Sequence, residues 1–323
     1  MNENDKIFGI IFGQCIGDAL GLSTEFLSKE QVAEYYKDKE FKYDNMVQDG
    51  HRSRWITGDW TDDSDQMILI LRDIVENNGT PSSKTFASKL YNWYYHGFPE
   101  LGDKAGMDIG NCTRWVIRED CFKQNPHKAS KDVWELSDRY MAPNGGVMRT
   151  SVIGCLDNPL VELIDITIDI CRTTHYDERC AASCVFIVVL IRNLRLKYDI
   201  VRALSNAQNE AIRRFPTIEN ELKKWCNISS LEELELNKHI GYTFKPLGCA
   251  VFCLKYILFT EKITFYELLD KIIREGGDAD TNAAVVGAVL GAYYGFSGLP
   301  KELVKSLAYK DFLEKEVLKL LRK

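Results

Sequence analysis

Apolar residues recur at helical spacing through most of the chain, and two-residue alternation is nearly absent. Ile7, Ile10, Ile11, Cys15, Ile16 and Leu20 share one face of a helix expected over 7–22, because residues three and four apart lie on the same side. Gly13, Gly17 and Gly21 line one side of that helix at a spacing of four. Glycine weakens a helix, so such a row predicts the close approach of another backbone. Met67, Ile68, Leu71, Ile74 and Val75 predict a second helix that stops at Asn77-Asn78-Gly79. Further helices are expected over 82–95, 110–119, 132–140, 147–155, 160–171, 200–214, 219–225, 246–259, 264–274 and 301–321. The stretch 180–191 is apolar throughout, with Asp177 placed as a cap and Glu178 in the first turn. Its β-branched centre would suit a strand, but its length and flanks favour a buried helix. Residues 28–59 are polar, broken and without a clean period.

The most uniformly apolar helix is expected over 283–292, which carries no charge. A helix apolar all round belongs in the interior. It is entered through Gly276-Gly277-Asp278-Ala279-Asp280-Thr281-Asn282, so two carboxylates stand at the mouth of a buried helix. Carboxylates there need partners, and a bound cation is one of the few good ones. Thr61-Asp62-Asp63-Ser64-Asp65 has the same form at the start of the second helix. Ser, Thr and Asp at a helix start are also ordinary N-caps. One cap uses one oxygen, however, and carboxylates packed together without a cation repel. Oxygen ligands with no adjacent His or Cys point to Mg2+, Mn2+ or Ca2+ rather than zinc. Should the two clusters meet in space, their four carboxylates and two hydroxyls would suffice for two hard cations.

Composition narrows the setting. A hydrophobic fraction of 45% with 27% charged residues describes a soluble globular protein. With no repeat, linker or low-complexity tract, a single all-α domain over 1–323 is expected. The net charge of −6 argues against nucleic acid or an anionic membrane as the main partner. The ten cysteines are scattered with no CxxC pair, which fits free thiols in a reducing compartment. The N-terminus lacks the basic and apolar regions of a signal peptide, and no apolar run reaches membrane-spanning length. A cytoplasmic monomer is expected. His51-Arg52-Ser53-Arg54-Trp55 forms a basic-aromatic patch shortly before the first acidic cluster.

Five stretches in order resemble the ADP-ribosylglycohydrolase family. They are Gly13-Gln14-Cys15-Ile16-Gly17-Asp18-Ala19-Leu20-Gly21 with Glu25-Phe26, then Trp60-Thr61-Asp62-Asp63-Ser64, then Asn144-Gly145-Gly146-Val147-Met148-Arg149. Thr174-His175 follows, and Gly276-Gly277-Asp278-Ala279-Asp280-Thr281-Asn282 with its glycine-bearing helix closes the series. The resemblance implies an all-α fold of many orthogonally packed helices. It also implies a site for two Mg2+ ions, with Mn2+ as a substitute, and hydrolysis of the glycosidic bond between ADP-ribose and an arginine, a serine or a small conjugate. ADP-ribose or an ADP-ribosylated protein is the implied partner. Thr61, Asp62, Asp63, Asp278, Asp280 and Thr281 match metal ligands, and Glu25, Asp62 and Asp63 are the catalytic candidates. Asn144, Gly145 and Gly146 match a loop that approaches the ligand's diphosphate. His175 matches a cleft position, although a core histidine bonded to backbone is the other reading. Arg149 is expected as an ion-pair partner and Asp18 as structural. Asp65 departs from the family pattern and would add charge near the metals. Met141-Ala142-Pro143 departs too, so no adenine-stacking residue is assigned. A non-catalytic ADP-ribose binder or structural protein of the same fold is the second reading.

Overall fold

In a computed structural model, which describes residues 2–37 and 39–322, fifteen α-helices and eight 3-10 turns follow one another. The described residues contain no sheet, only an isolated antiparallel bridge between Pro143 and Tyr242. The fold is all-α, as the periodicity predicts, and one hydrophobic core runs from Ile7 to Val317 without a break. Among the described residues no helix is long and apolar enough to cross a membrane.

Two helices form the axis, Glu3–Gly21 and Ala279–Tyr294, and both are buried along almost their whole length. The glycine row sets their contact. A Cβ placed on Gly17 would stand 2.0 Å from the carbonyl oxygen of Ala283, and one on Gly13 would stand 2.3 Å from that of Gly287. The demand is mutual: a Cβ on Gly287 or Gly291 would fall 2.0 or 1.9 Å from the carbonyl oxygen of Gly13 or Gly9. Backbone therefore lies on backbone. The facing numbers climb on one helix as they fall on the other, so the pair is antiparallel. The C-terminal end of the first helix, at Gly21, meets the entrance of the second at Ala279 and Asp280. Glu178–Arg195 and Phe244–Phe259 pack around this pair with their apolar sides inward, and Glu178–Arg195 is buried almost end to end.

Helices over Leu160–Cys171 and Ile200–Arg214 coincide with the periodic stretches. Others differ for identifiable reasons. The polar segment 28–59 contains a helix, Lys29–Tyr36, opened by a reciprocal capping box between Ser28 and Gln31. The helix expected over 132–140 is Pro126–Leu136, with Asn125 capping Lys128 and proline at its first position. It cannot run further, because Asp138 and Arg139 adopt positive φ. The stretch 147–155 is two 3-10 turns, Val147–Arg149 and Ser151–Cys155. There the Gln14 side chain donates to the Met148 carbonyl at 2.9 Å, taking an acceptor that an α-helix would use for its own ladder. The stretch 301–321 is broken into Lys301–Ser306 and Lys310–Leu321. At the break Ala308 N donates to the Gly58 carbonyl at 2.8 Å, and Tyr309, at φ 52°, turns its ring onto Trp60.

Overpacking a tight contact costs roughly 1–3 kcal/mol, more when the obstacle is backbone. Gly17→Ala is expected to lower unfolding free energy by about 3 kcal/mol. Gly50→Ala, where an added Cβ meets nothing within 4 Å, should change it by less than about 0.5 kcal/mol. Urea unfolding of the two variants side by side checks the comparison.

Candidate active site

The antiparallel axis delivers the second acidic cluster to a fixed place, and the helix Asp62–Glu76 delivers the first to the same place. Thr61 and Asp278 occupy the N-cap positions of their helices, so the two clusters sit at neighbouring helix entrances. Thr61 Oγ1 lies 3.3 Å from Asp280 Oδ2 and 3.3 Å from Asp63 Oδ2. Carboxylate oxygens of Glu25, Asp278 and Asp280 all fall within 4.8 Å of one another. Clusters more than 200 residues apart in sequence thus share one centre, together with Glu25 from the loop after the first helix. Thr61, Asp62, Asp63, Asp280, Thr281 and Glu25 are all buried.

Asp18 holds this arrangement together. Its Oδ1 accepts from Thr61 N and Thr61 Oγ1, both at 2.9 Å, and its Oδ2 accepts from Ser64 N at 2.9 Å. The expectation that Asp18 is structural understates its place, since it braces the first turn that carries the acidic cluster. A hydroxyl has one proton, and the shortest contact of Thr61 Oγ1, at 2.9 Å, assigns it to Asp18, while one lone pair accepts from Asp63 N at 3.5 Å. The remaining lone pair faces carboxylate oxygens of Asp63 and Asp280, each 3.3 Å away. In addition, Asp63 Oδ1 and Asp280 Oδ1 are buried without a hydrogen-bond donor. Burial pushes Asp62, Asp63, Asp280 and Glu25 well above the usual carboxylate range, and their mutual repulsion adds to the effect. An all-oxygen donor set with unanswered lone pairs fits a hard divalent cation.

Glu25 is held from three sides. Phe26 N donates to Gly277 O at 2.7 Å and Gly277 N to Leu27 O at 2.9 Å, so the loop pairs with the glycines. Gly276 and Gly277 are required there: both have positive φ, and a Cβ on either would lie within 2.2 Å of a carbonyl oxygen. Arg52, buried, donates to the carbonyls of Ser23 and Glu25. The Glu25 carboxylate itself meets His51 Nε2 at 2.6 Å.

Asn144 Nδ2 donates to Asp278 Oδ2 at 2.7 Å and Asn144 N to Gly241 O at 2.9 Å, tying the glycine loop to the acidic centre. His175, 2% exposed, stands behind this loop. A Cβ on Gly145 would lie 2.8 Å from its ring, and its Nδ1 pairs with Thr174 Oγ1 at 2.7 Å. Its partner is thus a hydroxyl and not backbone, and burial beside Arg149 holds the imidazole well below its usual pKa.

Among the described residues Arg149 touches no carboxylate, contrary to expectation. Its guanidinium donates to Thr174 Oγ1 at 2.7 Å and to Gln66 Oε1 at 2.8 Å, and Gln66 Nε2 donates to Asp62 Oδ2 at 2.6 Å. Gln66 therefore connects Arg149 to Asp62: its bond to Asp62 is one helical turn long, and its bond to Arg149 comes from far away in sequence. The indole N–H groups of Trp60 and Trp93 bind the two oxygens of Asp65 at 2.8 and 2.9 Å, and its charge adds to the repulsion on Asp62. A cavity of about 730 Å³ opens beside Gly241 and is lined by Trp115, Tyr140, Trp225 and Tyr242, with Arg179 and Lys224 among its polar groups. One wall comes from residues 228–245, which carry no readable motif.

The ADP-ribosylglycohydrolase family model matches residues 1–323. The chain belongs to this family. It is accordingly an ADP-ribosylglycohydrolase by class, with the helical fold of that family. It is 27% identical to an uncharacterized protein of Archaeoglobus fulgidus, over 98% of this chain and 96% of that one. It is 26% identical to the ADP-ribosylarginine hydrolase Tri1 of Pseudomonas putida, over 96% of this chain and 76% of that protein. Identity is 23% with the ADP-ribosyl-[dinitrogen reductase] glycohydrolase of Rhodospirillum rubrum, over 97% and 93% of the two chains. A solved ADP-ribosylglycohydrolase-related protein complex matches the fold at a TM-score of 0.73 and 24% identity, covering 99% of this chain and 98% of that one.

Burial raises Asp18 to about 6 and Asp59 to about 7. A carboxyl whose pKa is higher folded than unfolded binds its proton more tightly when folded, so its contribution to stability is lost as pH rises through the folded value. The cation-free protein is expected to lose stability between about pH 4 and pH 7, the reverse of ordinary acid denaturation. Urea midpoints measured across that window in chelator check the sign.

Proposed function

We propose that the protein is a Mg2+-dependent hydrolase, with Mn2+ as a substitute, that cleaves the glycosidic bond between ADP-ribose and a modified protein side chain. Arginine is the first acceptor to test, since two relatives are named ADP-ribosylarginine hydrolases; serine and small ADP-ribose conjugates are the others. The observation that carries the reading is the set of unanswered oxygens around Thr61: its hydroxyl oxygen, whose proton goes to Asp18, stands 3.3 Å from Asp63 and Asp280, and among the described residues each of those carboxylates has a buried oxygen without a donor. Thr61, Asp62, Asp63, Asp278, Asp280 and Thr281 would hold two cations. When bound, such cations supply positive charge that orients ribose hydroxyls and polarises a water.

The protein's own groups do the rest. Asp62, oriented through Gln66, and Asp63 accept a proton from the attacking water. Glu25 closes the other lip of the centre and serves proton transfer as the bond breaks. The carboxylates together favour the oxocarbenium-like state through which glycosidic bonds cleave. The backbone N–H groups of Gly145 and Gly146 and the second amide hydrogen of Asn144 bind the diphosphate, with His175 packed behind Gly145 to keep that loop in shape. The cavity beside Gly241, with its aromatic and basic lining, is of a size that suits the adenosine end.

ADP-ribose release from arginine- and serine-modified proteins, with Mg2+ and with chelator, tests the reading. Chelation, Asp62→Ala and Asp280→Ala are each expected to lower kcat/KM at least about 100-fold. Mg2+ should raise the melting temperature of the parent and have little effect on that of the two variants. Activity that survives chelator and both substitutions would overturn the metal assignment.

A further inference from the structure

The basic-aromatic patch at 51–55 has no place in the reaction described so far, yet it reaches the centre. His51 Nε2 lies 2.6 Å from Glu25 Oε2. On the other side of the ring, His51 Nδ1 lies 2.6 Å from Arg54 Nη2, and the same nitrogen of Arg54 lies 2.9 Å from Asp108 Oδ1. The ring is flanked by Phe26 at 5.0 Å and Trp55 at 5.1 Å, and the Arg54 guanidinium sits over the Trp55 ring at 4.5 Å. Asp49 pins the turn below by accepting from the backbone N–H groups of His51 and Arg52, at 3.0 and 2.8 Å.

This geometry decides the tautomer. A guanidinium has donors only and is never deprotonated in a protein. His51 Nδ1 must therefore accept from Arg54, which leaves the ring proton on Nε2, aimed at Glu25. Ligand atoms of Glu25, His51 and Asp108 are close enough to suggest a separate metal. The Arg54 guanidinium already bonds both His51 and Asp108, however, and its charge opposes a cation there.

We propose that His51 is a positioning residue for hydrolysis: its Nε2–H fixes the Glu25 carboxylate against Asp278 and Asp280, and Arg54, braced by Asp108, fixes the tautomer. Misplacing a reacting group by about 1 Å costs on the order of 100-fold in rate, and loss of a supporting shell residue typically costs about 10- to 100-fold. The inference rests on the reading of Glu25 given above.

Steady-state kinetics on an ADP-ribosylarginine protein, for the parent, Glu25→Gln, His51→Ala, His51→Gln and the Glu25→Gln/His51→Ala pair, test it. His51→Ala is expected to lower kcat about 10- to 100-fold with KM within about twofold. His51→Gln, whose amide donates to the same carboxylate, should recover most of that loss. Adding His51→Ala to Glu25→Gln should cost less than about twofold more, because the two act through one contact. Nitrogen–proton correlation spectra of the cation-loaded parent should give His51 protonated at Nε2 and bare at Nδ1, and that readout stands even if His51→Ala does not fold. A parent rate in His51→Ala, losses that multiply in the pair, or a proton on Nδ1 each overturns the proposal while leaving the Glu25 reading intact. A parent rate in Glu25→Gln overturns that reading and this one with it.

Discussion

Backbone-to-backbone contact between the helices Glu3–Gly21 and Ala279–Tyr294 is the constraint on which the remaining structure depends. At Gly9, Gly13, Gly17, Gly287 and Gly291 a single added carbon would fall within 2.5 Å of a carbonyl oxygen on the other helix. Side chains ordinarily hold helices 8–10 Å apart. Removing them draws the axes closer and, because a carbonyl admits no compromise at that distance, locks rotation and register. The consequence reaches the chemistry directly. Gly21 ends one helix where Ala279 begins the other, so Asp18, Glu25, Asp278 and Asp280 are brought together by the same few backbone atoms.

Around that point the protein concentrates negative charge in a buried place, a cost that structure alone does not relieve. Asp18 receives three donors, and Asp65 receives two indoles, so both are satisfied. Asp63 and Asp280 each keep an oxygen with no donor. The difference separates carboxylates answered within the fold from carboxylates left open for the cations proposed above, although all four are buried and all carry raised pKa values for the same first reason, burial.

Much of this was legible in the residue order, because it rests on local chemistry. Glycines four apart announced a close helix contact, and paired carboxylates before an apolar run announced a buried acidic entrance. The helices Leu160–Cys171 and Ile200–Arg214 followed from periodicity alone. What escaped depends on residues distant in sequence. Gln14 donates to the Met148 carbonyl where 3-10 turns replace an expected helix, and Ala308 N donates to the Gly58 carbonyl where another is split. Gln66 standing between Arg149 and Asp62 replaces an expected ion pair. The helix Lys29–Tyr36 was missed for a different reason: its capping box was visible in Ser28 and Gln31, but eight residues are too few to establish a period.

The antiparallel axis joins Glu3–Gly21 to Ala279–Tyr294, two helices far apart in sequence. During synthesis Glu3–Gly21 emerges from the ribosome long before its partner exists, with its glycine face and apolar flank uncovered. Contacts so remote in sequence close slowly and leave sticky intermediates exposed meanwhile. The helix that seals them also carries Asp280 and Thr281. The central seam and half of the acidic centre therefore form together, and neither can exist before Ala279–Tyr294 has been made.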